Sequence, residues 1–341
     1  EYLLRLMEDG EFQKCISLAE QLLLQGGLTV QELATVNMAL CRARLGIDDP
    51  FGAIPSGSLA VKLARDVEDW DLLARSLLNL GHAYLATHDF EQALFQFYSL
   101  LESERRYVES QRFVGAAWKG IGICHQHQGE HEQALVAFRR SRAWFQKNKV
   151  VHGDFTCIHD LVNTYLDWND VNPKQSLDQV KDLLKEERAI ALAHPTETYY
   201  KGTYLYDKGA LYLRQRRYKR AIIAAMQAME THKEDHELTF HVHMVLHACT
   251  RELGMVKDAL GYALAARVEA LAVRRFDLEY LSIRAFVETI RQKNGPAALK
   301  QLDTEYQAIG VDLSTYLPQY ILQRDLVGAP QPTLEPEKPT N

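Results

Sequence analysis

Apolar residues along this chain recur at steps of three and four, as in Leu77, Leu80, Ala83 and Tyr84, the spacing that lines one face of an α-helix. A longer period is superimposed on that one. The set Leu77, Leu80, Gly81, Tyr84, Ala93, Phe97 returns as Trp118, Ile121, Gly122, His125, Ala134, Phe138, at offsets from the glycine of −4, −1, 0, +3, +12 and +16 in both copies. A template that spans two helices and recurs at a fixed period predicts stacked helix pairs. Each pair buries its apolar stripe against its neighbours, and the inner wall of the resulting superhelix stays open as a binding surface.

The register extends in both directions. Ala93, Ala134 and Ala221 are 41 and 87 residues apart, which leaves room for one further pair built from Leu161, Tyr165 and the segment 176–190, with a turn lengthened by Asp167 to Pro173. Weaker copies centre on Ala259 and Ala297, with His247 and Ala285 in the glycine place. About eight pairs are therefore expected, starting near residues 1, 30, 70, 112, 152, 198, 236 and 276, followed by a last helix near 313–326. A Gly- and Pro-dense stretch, 45–55, is expected to be an expanded loop in the second pair. Residues 327–341, rich in proline and poor in apolar residues, are expected to be a disordered tail. The turn Asp9-Gly10-Glu11-Phe12 puts Glu1 inside a helix, several residues past its expected start, so the chain is read as a fragment whose upstream part is cut away, removed by processing or left out of the numbering. Gly81, Gly122 and Gly209 fall in mid-helix, where glycine costs ~1 kcal/mol relative to alanine. A close approach of the partner helix at the small Ala93, Ala134 and Ala221 is expected to compensate.

Composition narrows the function. The formal net charge of −6 leaves no basic surplus for a phosphate backbone, so direct nucleic-acid binding by this chain is not expected. No apolar run reaches the length of a membrane span, and no signal segment opens the chain. Cys15, Cys41, Cys124, Cys157 and Cys249 are odd in number, scattered and never arranged as CxxC, which fits buried thiols in a reducing compartment. A cytoplasmic location is expected.

The succession Trp or Leu, Leu or Ile, Gly, Tyr, then Ala and Phe twelve and sixteen residues on resembles the tetratricopeptide repeat, from Glu1 to about Gly310. The resemblance implies an all-α, right-handed superhelical solenoid over 1–326, of about eight repeat-like helix pairs with a C-terminal capping helix. It is specific for fold and nearly silent on ligand. The repeat length and number are also similar to the regulatory halves of Gram-positive, peptide-sensing helix-turn-helix regulators and Rap-like proteins. That similarity implies a bacterial quorum-sensing transcription regulator whose DNA-binding domain precedes the repeats, although no helix-turn-helix is present in this sequence.

In tetratricopeptide arrays the first helix of each pair lines the groove. Carried onto this chain, its groove positions hold Asn37, Asn79, His82, Lys119, Gln126, Asp160, Asn163, Asp167, Tyr206, Asp207 and Arg214, together with Arg75, His159 and His241. Amides such as Asn79 and Asn163 can donate to and accept from a peptide backbone, and Arg214 can pair with a carboxylate. The mixture suits a short peptide. The Lys/Asn clamp of chaperone-binding relatives is not reproduced, since Leu78 and Asp160 stand where it needs other groups. His243 and His247 share a helix face, but no HExxH glutamate or neighbouring cysteine completes a zinc set, and their template positions point to packing. No GxSxG, catalytic-cysteine context or phosphate loop is present. The expectation is a non-enzymatic domain without cofactor or metal. Its partner is a short peptide or a protein, and self-association as a homodimer is compatible with it. A scaffold for a folded partner and a Rap-like response-regulator phosphatase are the alternatives.

Overall fold

The computed structural model describes residues 2–104, 113–168, 173–232, 235–273 and 275–308, and these contain sixteen α-helices and no strand. They are α1 (Tyr2–Glu8), α2 (Phe12–Gln25), α3 (Val30–Gly46), α4 (Pro50–Asp66), α5 (Trp70–Ala86), α6 (Phe90–Glu104), α7 (Val114–His127) and α8 (His131–Lys147). There follow α9 (Val151–Asp167), α10 (Pro173–Ala193), α11 (Thr198–Arg214), α12 (Tyr218–Thr231), α13 (His236–Glu252), α14 (Val256–Ala272), α15 (Phe276–Ile290) and α16 (Gly295–Ala308). These make the eight expected pairs. The expected helix at 313–326 and the tail at 327–341 lie outside the described residues, as do Glu1 and residues 169–172 of the lengthened turn.

The template shows why the pairs lock. Its glycine place on the first helix and its +16 place on the second face each other, and the two divide a nearly fixed space. A Cβ added to Gly81 would stand 2.5 Å from Phe97 Cε1, and one added to Gly122 would stand 2.5 Å from Phe138 Cε1. The bulk is reversed in the second pair, where Cys41 takes the glycine place and Gly57 the +16 place, with Cys41 Sγ 2.9 Å from where a Gly57 Cβ would be. Leu3 with Ala19, and His247 with Ala263, divide the space in the same sense, all four being buried. The close backbone approach expected at all three mid-helix glycines occurs at Gly209, where an added Cβ would stand 3.4 Å from Ala221 O and 3.5 Å from Ala225 N. At Gly81 and Gly122 an aromatic ring fills the gap instead.

Two expectations need correction. Residues 45–55 are not an expanded loop: α4 starts at Pro50, with proline at the first helical position and the Asp49 carboxylate accepting from Gly52 N at 2.9 Å. Ala53 and Gly57 then fall at +12 and +16 from Cys41, so tertiary register overrides the glycines and even the interior Pro55. In the last pair the register is one residue later than Ala285 and Ala297, because Ala297 is exposed while Ser282, Ala285, Phe286 and Thr289 are buried. Phe286 holds the glycine place, with Leu302 at +16.

Turns repeat too. The residue seven after the glycine place is left-handed in six pairs: Gly10, Asp48, His88, Gly129, Arg216 and Gly254, with φ between 57° and 75°. Several connections between pairs are fixed by caps. Thr29 and Glu32 form a capping box at α3, and Asp69 and Asp235 cap α5 and α13.

The chain forms two compact units, residues 1–187 and 188–341. In the first, α3 touches α5, α5 touches α7 and α7 touches α9, while among the described residues no comparable contact joins α4 to α6 or α6 to α8. Helices on the short side of a curved stack lie nearer to one another, so the first helices form the inner face. In the second unit α11 touches α13 and α13 touches α15, but there α14 also touches α16, so the contrast with the second helices does not extend to its end.

Candidate functional site

On the inner face of the first unit, polar side chains continue from helix to helix. Arg42 of α3 is exposed, and Asn79 and His82, one turn apart on α5, are half-buried. The His82 ring meets Phe97 edge-on at 5.4 Å, which ties it to the core beneath. Burial, and then the charges of Arg42 and Lys119, push the His82 imidazole down to a pKa of about 4. It is therefore neutral at pH 7, set among cations carried by the helices on either side.

Lys119 of α7 reaches across to α9, its Nζ 3.4 Å from Asp160 Oδ2. That oxygen is shielded from water and receives no hydrogen bond, so the contact is an ion pair without a directed N–H. Asn163, one turn along α9, has its Nδ2 3.0 Å from His159 Nε2. The amide N–H donates, which leaves the lone pair on Nε2 and the proton on Nδ1. Gln126 is half-buried near the end of α7, and Asp167 is exposed at the end of α9. Among the described residues the amides of Asn79 and Gln126 meet no protein partner.

Two expected groove residues are turned into the protein. Asn37 is 4% exposed and its Nδ2 donates to Leu33 O at 2.8 Å. The reason is register: with Cys41 in the glycine place, Asn37 is at −4, the packing position held by Leu77 and Trp118 in later pairs. Asp207 of α11 is fully buried. Elsewhere in the second unit Tyr206 packs on His241 with ring centroids 5.9 Å apart, and Arg214 is exposed at the end of α11. Arg75 is held by Asp71 on its own helix at 2.9 Å.

Arg42 was missed from the sequence. It follows Cys41 as His82 follows Gly81, so carrying the template one pair back would have found it. The signal was hidden because a cysteine stands where a glycine was sought.

Histidines at the template's packing places do pack. His247 Nδ1 is 2.9 Å from Ala259 O, and His243 Nε2 is 3.3 Å from Met229 Sδ. Burial lowers the pKa of both. The five cysteines are buried, and burial drives the thiols of Cys41 and Cys124 up to about 12 and those of Cys157 and Cys249 up to about 11. They are thiols rather than nucleophilic thiolates at neutral pH. Among the described residues no helix is long and apolar enough to cross a membrane.

A succession of helix pairs with an intra-pair alanine at +12 and a shared space between the glycine and +16 places is the architecture of a tetratricopeptide-repeat-like, all-α solenoid. No protein-family profile and no curated protein matches the chain. Among solved structures, the chain is similar to NprR in complex with its cognate peptide NprX, at 14% identity and TM-score 0.57 over 92% of this chain and 88% of that one. It is also similar to the apo form of the quorum sensor NprR from B. thuringiensis, at 12% identity and TM-score 0.53 over 96% and 97%. At such identities the likeness is one of fold.

Proposed function

We propose that this chain is a receptor for a short peptide, bound in extended form across the inner face of the first helices, and that it is the regulatory part of a cytoplasmic transcription regulator. The observation that carries the reading is the pair of unpartnered, half-buried amides, Asn79 and Gln126, on the neighbouring inner helices α5 and α7, with Lys119 also on α7 and Arg42 and Asp160 on the helices to either side. The amide atoms of Asn79 and Gln126 make no bond to the protein and remain open to solvent, where a peptide backbone can offer both an acceptor and a donor in place of water. Arg42 and Lys119 add attraction for a carboxylate, and Asp160 adds it for an amine.

Dimensions agree with a short ligand. Helices pack about 8–10 Å apart, so the three gaps from α3 to α9 span about 24–30 Å, the length of roughly eight extended residues. The likeness to NprR, a quorum sensor crystallised with its cognate peptide, supports the regulatory part of the reading.

The test is thermal stability of the chain with a pool of synthetic octapeptides. A ligand at about a hundredfold its Kd should stabilise by about 2.7 kcal/mol. Asn79→Ala should abolish that shift and leave the melting temperature of the free chain unchanged. A pool that never shifts the melting temperature, with a folded protein co-purifying from host extract instead, would overturn the reading in favour of a scaffold.

A further inference from the structure

Arg216, Arg217, Lys219 and Arg220 occupy the turn between α11 and α12 and the first residues of α12, and all four are exposed. None of them has an acidic partner among the described residues. In a chain of net charge −6 this concentration is not an effect of composition. Lys14, near the start of α2, is by contrast matched by Glu11 at 3.0 Å. Here the carboxylate close by is that of Glu252, which already takes the Tyr218 hydroxyl at 3.4 Å and Arg251 at 3.9 Å.

The four cations, with Tyr218 and Leu253, line an open cleft of about 510 Å³. Their backbone is fixed before any ligand arrives: Gln215 N donates to Leu211 O at 3.0 Å, Arg216 N to Leu213 O at 2.9 Å and Arg217 N to Tyr212 O at 2.8 Å. A cleft of this size is on the scale of small-molecule sites, about 300–1,000 Å³.

We propose that this cleft binds a compact polyphosphate, meaning two or more linked phosphoryl groups. Four like charges crowded into five residues repel one another, and a single multivalent anion relieves every one of those repulsions at once. Three of the four are arginines, whose planar forks match pairs of phosphate oxygens. An acidic peptide spreads its charges along an extended chain and fits a cluster this short less well. A nucleic-acid duplex needs a longer basic track, and the net negative chain would repel it. The cleft belongs to the α11–α12 turn and does not depend on the peptide reading.

Calorimetry of the whole chain against tripolyphosphate, ATP, sulfate and a short DNA duplex, at about 150 mM salt where long-range attraction is screened, tests the assignment. Tripolyphosphate and ATP should each bind saturably at one site with similar affinity, and sulfate should not. Arg217→Gln combined with Arg220→Gln should weaken both by about tenfold or more and leave the melting temperature unchanged, since both side chains are exposed and unpaired. The proposal is overturned by absence of saturable binding up to about 1 mM, by equal binding to the double variant, by binding of ATP alone, or by binding of a DNA duplex but neither small anion.

Discussion

The ring of Phe97 is held between two glycines from successive first helices: a Cβ on Gly81 would lie 2.5 Å from it, and one on Gly120 would lie 2.4 Å away. Phe97 is completely buried and has nowhere to move. Gly81→Ala therefore gains ~1 kcal/mol of helix propensity and loses more than that to overpacking, with a net destabilisation of about 1–3 kcal/mol. Gly209→Ala has the opposite sign, because the added Cβ would meet its nearest neighbour, Ala221 O, at 3.4 Å, an ordinary van der Waals contact. It should stabilise by up to ~1 kcal/mol. Urea titrations of the two variants, read against the parent chain, check the pair. Equal signs would refute the shared-space account.

Lys149 lies at an exposed inter-pair turn with φ of 57° and no side-chain partner among the described residues. Glycine accepts that conformation without steric cost, so Lys149→Gly should raise stability by about 1 kcal/mol. A melting curve decides it, and a loss of stability would show that the side chain makes a contact of value.

The Lys119–Asp160 pair is shielded on both sides, with side-chain exposures of 28% and 15%. Lys119→Met should cost about 1–3 kcal/mol, because it strands a desolvated carboxylate. Combining it with Asp160→Leu should recover most of that loss. A double-mutant cycle by chemical denaturation measures the coupling, and additive losses would mean the ion pair is not the operative contact.

His82 is neutral in the folded chain, with its pKa depressed to about 4 against about 6.5 when unfolded. His243 and His247 are shifted in the same direction by burial. The unfolded chain binds these protons first. Stability should thus be full above about pH 6.5 and decline as pH falls toward 4. In His82→Gln the decline should be shallower. Melting temperatures across that range, with NMR titration of the imidazole, test it; a His82 titrating near its ordinary value would remove the effect.

Much of the fold could be read in the sequence because helical periodicity and the glycine, alanine and phenylalanine of two strong copies are local signals. The number of helix pairs and their approximate starts follow from them. What escaped were places where one residue type replaces another without changing the shared space. Cys41 and Gly57 hid the second pair behind an apparent loop, and Phe286 displaced the last register by one. The candidate site suffered from the same cause: Asn37 looked like a groove amide until Cys41 fixed the count, and Arg42 was passed over. The pairing of Lys119 with Asp160 was not readable, since it depends on how far two helices stand apart. Nor were the bare amides of Asn79 and Gln126, because lack of a partner is a property of the packed structure.

The division of one space between two facing positions also bears on how such a chain changes over generations. A single step at Gly81 or at Phe97 leaves either a clash or a hole, whereas a joint exchange, of the kind that separates Cys41/Gly57 from Gly81/Phe97 within this one molecule, leaves the interface filled. Drift along this route erases the residue signature of each repeat while the architecture is inherited intact, and the kinship of such proteins outlives their resemblance on the page.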